Sequence, residues 1–186
     1  MEMSLRELVP SDAAALAHIL ISANEAVFRG RVPDRCLEFT EAESAANWGR
    51  FFAQGIPTGD FMLGVQGENG QLVAYAWASA FDDAAYRGEL RQIMVLPAFQ
   101  QQGLGKRLLC RVVQRLLDVE ISSLRVDVLQ VNPSREFYAH MGGTIIAEGS
   151  YDWDGVMLPQ LTYGWTDTRS IGAQHCSKDY FPLEAM

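Results

Sequence analysis

Several large function classes need features that this chain has little of. Its three cysteines, Cys36, Cys110 and Cys176, lie far apart and form no CxxC pair. Such spacing suggests neither a zinc site nor a disulfide framework, and a reducing, intracellular setting fits it best. His18, His140 and His175 are equally scattered, with no helical HxxxH, so no metal is expected. The longest apolar run, LVAYAWASAF, has ten residues and is too short to cross a bilayer. The opening MEMSLRELVPSD lacks the basic start and apolar stretch of a signal peptide, and a cytoplasmic protein without a membrane partner is expected. Positive charge is scarce too: 15 Lys and Arg stand against 23 Asp and Glu, a net charge of −8. That balance argues against a nucleic-acid partner, which would need a basic surface to replace counterions, and suits a cationic partner such as an amine.

What is present fits one globular core. The 186 residues are 48% hydrophobic and 20% charged, enough for one substantial domain and short for two. SLRELVP reads as a strand, followed by a helix that Ser11 or Asp12 can cap. Thr40 and Glu43 form a capping box for a second helix. DFMLGVQ and QLVAYAWASAF, joined through Gly67 to Gly70, read as a hairpin. A strand over 89–96, a helix over 104–119 and the strand LRVDVLQV follow, then a helix starting at Asn132-Pro133 and ending at Gly142-Gly143. TIIAEGSYDW and GVMLPQLTYGW make a last strand pair, with Pro159 marking an edge or a bulge. The expected class is α/β, a single domain with a mixed, mostly antiparallel twisted sheet flanked by helices. Residues 1–166 form that domain. The tail 167–186 has no clear period and is either a loose end or an arm lying on a partner subunit of a homodimer.

The chemistry concentrates in FQQQGLGKRL, residues 99–108, between a strand and a helix. A Walker loop fails there, because Arg107 stands where Ser or Thr must hold magnesium. The dinucleotide fingerprint GxGxxG fails as well, because its third glycine falls on Leu108. What remains is Gln100-x-x-Gly103-x-Gly105. A helix N-terminus offers unpaired N–H groups and the positive end of the macrodipole, and two glycines let a diphosphate approach them. Lys106 and Arg107 add mobile positive charge. A plain strand-to-helix turn would also use these glycines.

Strand, VLP, Gln-x-x-Gly-x-Gly, amphipathic helix, apolar strand and NPSREFYAHMGG together resemble the GNAT superfamily of N-acetyltransferases, over roughly Phe61 to Trp165. The nearer likeness is to a subgroup with N-P-x-R-x-F-Y, a Gly-Gly ending and a closing Tyr163-Gly164-Trp165 strand. Tyr138 stands one residue closer to Asn132 than in many members.

The resemblance implies acetyl-CoA as co-substrate, no metal, and a small-molecule or peptide amine as acceptor. It places the diphosphate over Gln100, Gln101, Gln102, Gly103, Leu104, Gly105, Lys106 and Arg107, with Asn132 nearby. The pantetheine arm would pair with backbone groups of Ile93, Met94 and Val95, and the N–H near Val95 would polarise the thioester carbonyl. Tyr138 resembles the general acid. Glu89 is the candidate base, eleven residues before Gln100 as in the histone-acetylating branch; Glu25 is the alternative, or an anchor for the substrate's positive charge. The implied activity is direct acyl transfer in a ternary complex. An idle acyl-CoA sensor is the rival reading and a nucleotide-binding module a third.

Overall fold

The computed structural model describes residues 3–80 and 85–176. Its centre is a seven-stranded sheet in the order β1-β2-β3-β4-β5-β7-β6, comprising β1 (Ser4–Glu7), β2 (Asp60–Gln66), β3 (Leu72–Ala80), β4 (Gly88–Val95), β5 (Leu124–Leu129), β6 (Thr144–Trp153) and β7 (Val156–Trp165). Every neighbouring pair is antiparallel except β4 with β5. The expected mixed, mostly antiparallel sheet is therefore observed.

Helices α1 (Ala13–Phe28) and α2 (Glu41–Gln54) cover one face of β1 to β4. Their core joins Leu16, Ile19, Trp48 and Phe52 to Met62 and Tyr75 of the sheet. The other face carries α3 (Leu104–Asp118), α4 (Arg135–His140) and α5 (Arg169–His175). There Leu104, Leu108, Leu109, Val112 and Leu116 of α3 pack on Val65, Ala76, Leu90, Leu124 and Val126. Each such side chain contributes about 1.5–3 kcal/mol of apolar burial, so this face holds the larger share of the core. A third cluster, of Phe28, Val32, Cys36 and Leu158, ties the end of α1 to the β6–β7 hairpin.

Local chemistry explains most element boundaries. Thr40 Oγ1 accepts the Glu43 N–H at 3.2 Å and Glu43 Oε2 accepts the Thr40 N–H at 2.9 Å, the anticipated capping box. Asp12 does not cap α1; its carboxylate takes two hydrogen bonds from Arg6 at 2.7 Å and one from the Val9 N–H at 2.8 Å. Pro159 lies on β7, an inner strand, opposite Ser150 of β6 and just past the last β5 pair, Leu129 with Gln160. The Gln130 N–H donates to Pro159 O at 2.9 Å, but Pro159 has no N–H to return the bond, and the regular β5–β7 pairing ends at Leu129 with Gln160. The edge strand is β6, and its register shift falls between Ile145 and Ala147.

Two features differ from the expectation at the C-terminus. Arg169–His175 is a helix on α3, with Ile171 in the core. Cys176, just after it, forms a disulfide with Cys110 of α3, their Cα atoms 5.7 Å apart. Sixty-six positions separate the two cysteines, and only the packing of α5 along α3 brings them together, which spacing alone could not reveal. Cys36 is the free, buried cysteine. Thiol titration of the denatured protein should therefore find one reactive thiol before reduction and three after it. Replacing Cys110 and Cys176 together by Ser should lower stability to urea by about 2–4 kcal/mol.

Candidate functional site

β4 and β5 pair only at Gly88 with Leu124 and at Glu89 with Arg125, then part. A β-bulge contributes to the parting: Trp77 faces Gln92 and Ala78 faces Leu90, so Arg91 is the extra residue. Beyond the crotch a notch opens in the middle of the sheet. Ile93, Met94 and Val95 are consequently only half-buried, although β4 is the central strand.

Strand alternation fixes which backbone groups face the notch. The Leu96 N–H donates to Val73 O of β3 at 2.9 Å, so the groups of Val95, and of Ile93 two residues back, point away from β3. Met94 presents its backbone toward β3 and its side chain to the α1–α2 core. Of the three strand residues anticipated for an extended arm, Ile93 and Val95 offer backbone groups and Met94 does not.

The turn after β4 is built to expose backbone. Gln101 has φ 59° and Gly103 φ 80°, both left-handed, and Gly103 is the N-cap of α3. The first helical bond runs from the Arg107 N–H to Gly103 O at 3.0 Å, leaving the N–H groups of Leu104, Gly105 and Lys106 ahead of the ladder. A Cβ at Gly103 would meet no atom within 4 Å; one at Gly105 would stand 3.9 Å from Ile93 Cγ2 and Phe137 Cζ. The space over Gly103 is thus open, and a Cβ at Gly105 would only touch Ile93 and Phe137 at the border of the notch. Two exposed glutamines brace the turn: Gln100 Nε2 donates to Val95 O at 3.1 Å and Gln102 Nε2 to Ala98 O at 3.2 Å. Gln101 is exposed, and Lys106 and Arg107 are half-buried at the helix start.

α4 flanks the notch from the other side. It begins at Arg135, later than Asn132-Pro133 suggested, because Asn132 Oδ1 accepts the Ser134 N–H at 2.8 Å and closes a turn first. Tyr138 is nearly buried, its ring centroid 5.2 Å from Phe137, 6.0 Å from Tyr163 and 6.5 Å from Trp165. Burial pushes its phenol up to about 12. No described residue hydrogen-bonds its hydroxyl. Gly143 ends the helix with its N–H on Tyr138 O at 2.9 Å; a Cβ there would lie 2.7 Å from Trp165 Cζ2, which explains the glycine.

At the crotch, on the face opposite α3, polar and charged residues of four strands meet. Glu89 Oε1 accepts from Arg125 Nη2 at 3.1 Å, and Glu89 Oε2 lies 3.4 Å from Arg91 Nη2. Arg91 Nε donates to Ser79 Oγ at 3.0 Å, and the guanidinium sits 5.2 Å from the Trp77 ring centroid. Trp77 Nε1 in turn donates to Asp60 Oδ2 at 2.7 Å. Sequence reasoning found only Glu89 of this group, since no spacing links positions 60, 77, 79, 91 and 125. Glu25 stands apart, half-exposed near the end of α1 and held by Arg29 Nε at 2.6 Å and Nη2 at 2.8 Å.

A parted central strand pair beside a glycine turn defines a class, and the comparisons agree with it. The Acetyltransferase (GNAT) family model matches residues 30–142, and the chain belongs to that family. The match starts upstream of Phe61, where the motifs begin, and stops at the end of α4. Among curated proteins, an uncharacterized N-acetyltransferase of Bacillus subtilis, YuaI, is 32% identical over 108 residues, 57% of this chain and 62% of that one. The aligned part thus covers less than two thirds of that relative. Two solved structures share the fold: a GNAT-family protein of Desulfovibrio desulfuricans (TM-score 0.68, 18% identity, 90% of this chain and 99% of that one) and the PaiA N-acetyltransferase of Thermoplasma acidophilum in complex with coenzyme A (TM-score 0.64, 16% identity, 89% and 100%). No group of acidic, His and Cys side chains among the described residues is arranged to hold a metal, and no described helix is long and apolar enough to cross a membrane.

Gly105→Val tests whether the space at the border of the notch belongs to a ligand. A Cβ there reaches only ordinary contact distance from Ile93 and Phe137, so thermal unfolding should change little. Coenzyme A affinity measured by calorimetry should fall at least about tenfold, the equivalent of one charge-assisted hydrogen bond lost.

Proposed function

We propose that the chain transfers the acetyl group of acetyl-CoA directly to a primary amine in a ternary complex. The observation that carries this is the half-exposed inner edge of β4, whose Ile93 and Val95 backbone groups lead up to the bare N-terminus of α3. An arm with alternating amide groups fits that edge as an added strand. A diphosphate fits the N–H groups of Leu104, Gly105 and Lys106 over the two glycines. The coenzyme A bound by the Thermoplasma protein of the same fold supports the choice of ligand.

Each step then has a candidate group. The amine lone pair attacks the thioester carbon, and the carbonyl oxygen gains negative charge as the C–N bond forms. Of the two N–H groups pointing into the notch, that of Ile93, nearer the crotch, donates to that oxygen, while Val95 meets the arm closer to the diphosphate. The C–S bond breaks and the sulfur takes the Tyr138 proton, which solvent restores to the phenolate. At about 12 the phenol keeps its proton through neutral pH; being a weaker acid than a thiol near 8.5, it first hydrogen-bonds the sulfur and transfers late. The amine proton leaves through water toward Glu89, whose two oxygens already face Arg125 and Arg91. No cysteine serves as an acyl carrier, because Cys36 is buried and Cys110 and Cys176 are bonded to each other. Glu25, bound to Arg29 outside this group, lies on the acceptor's approach in this reading.

The catalytic unit in this reading is residues 1–166, with α5 as an added brace. A cytoplasmic site follows from the supply of acetyl-CoA. A homodimer is supported by the long edge strand β6, along which Ile145, Ile146 and Tyr151 are exposed.

The test is thiol release from acetyl-CoA with a panel of amines. Amine-dependent release is expected, with calorimetry showing tighter binding of CoA than of ATP. Tyr138→Phe keeps the ring packing, so acetyl-CoA affinity should hold while kcat falls about ten- to a thousandfold. Parental turnover by that variant would remove Tyr138 as the acid.

A further inference from the structure

We infer that Arg91 anchors the acceptor through a carboxylate, and that the acceptor is an amino acid bearing its amine beside that carboxylate. This rests on the acetyl-transfer reading above and adds to it the substrate class.

The bulge inserts Arg91 where β4 leaves β5, next to where the thioester end of an arm running down the notch would stop. Such insertions re-aim a side chain. Here the guanidinium lies against Trp77 and is pinned through Nε on Ser79 Oγ, while 41% of the side chain stays exposed. A solvated surface arginine would have neither the ring beneath it nor the buried hydroxyl beside it, since Ser79 is fully buried. The cation is therefore held in place in advance and open on one side, which is what recognition of a planar carboxylate needs.

The acidic groups on this face do not compete for the role of anchor. Asp60 receives the Trp77 N–H and is 6% exposed, with Arg91 Nε 3.7 Å away. Glu89 is bonded by Arg125 and faces Arg91. Asp127, next on the same face of β5, receives the Thr162 hydroxyl at 2.5 Å. Each carboxylate already has a donor from the protein, whereas Arg91 Nη1 has no hydrogen-bond partner among the described residues. A polyamine or a lysine-rich peptide would bring positive charge against this guanidinium. The overall charge of −8 would attract such cations from a distance, but screening beyond about 8 Å leaves the local cation to decide at contact.

The experiment compares the common amino acids with their amides, with the corresponding decarboxylated amines and with spermidine, using acetyl-CoA and thiol release. At least one amino acid should exceed its own amide and amine by about ten- to a hundredfold in kcat/KM, the range of one charged hydrogen-bonded contact. In Arg91→Gln that preference should collapse, mainly through KM, with coenzyme A affinity and thermal midpoint unchanged; Arg91→Lys should restore part of it. If the Gln variant fails to fold, the Lys variant decides by a preference lying below the parent's. Equal use of amides and amines by the parent, preference for spermidine, or full preference retained in a folded Arg91→Gln protein would overturn the inference and leave acetyl transfer standing. If no amine is turned over, calorimetry on the CoA-saturated protein replaces kinetics, and absence of carboxylate-dependent binding overturns it equally. Failure to bind acetyl-CoA at all would remove both this inference and the reading beneath it.

Discussion

Parallel strands that part in the middle of a sheet leave peptide groups without partners, each costing about 1–3 kcal/mol if buried and unsatisfied. Here the cost is contained by making the separation abrupt and giving it solvent. Glu89 and Arg125 join the strands at the last paired position, in backbone register and by ion pair. The Arg91 bulge turns β4 away within one residue, and Gln100 reaches back to satisfy Val95 O. What is left is a short edge inside a sheet, kept wet by half-burial rather than closed by packing. Any strand-like molecule bearing amides is its natural complement, and the rest of the proposed site is arranged around that edge.

The division of labour in the following turn belongs to the same logic. Side chains of Gln100 and Gln102 are taken up by carbonyls of the chain, which leaves the backbone N–H groups of the helix start as the donors without a partner in the ladder. Backbone donors at a helix N-terminus bind an anion through geometry rather than side-chain identity. This is why the turn was legible as letters: glycine at 103 is demanded by a positive φ, and glycine at 105 borders the open notch. The hydrophobic period of α3, the capping box at Thr40 and the hairpin through Gly67 were legible for equally local reasons.

What the sequence did not disclose is what depends on several strands at once. The cluster at the crotch draws on β2, β3, β4 and β5, and nothing in the spacing of Asp60, Trp77, Ser79, Arg91 and Arg125 marks them as neighbours. Asp12 looked like a cap because local rules favour it there, yet Arg6 offered two charge-assisted bonds and won it. The start of α4 shifted for a comparable reason, since Asn132 closes its own turn before the helix begins. The Cys110–Cys176 pair required knowing that a segment without visible period would form α5, and it withdraws the cysteine argument for a reducing compartment.

α3 ties these observations together, because it must be rigid at one end and unfinished at the other. From Leu108 onward its inner face is buried in the main core, and the disulfide at Cys110 fixes α5 against its outer flank. In the first turn the N–H groups of Leu104, Gly105 and Lys106 lie ahead of the first intrahelical bond, from the Arg107 N–H to Gly103 O. Those groups can stay aimed without a ligand only if the remaining turns cannot rotate or slide, since a frayed helix would satisfy them with water in many orientations. Burial and the covalent link therefore act on the proposed cradle at a distance, by holding the axis along which its donors point.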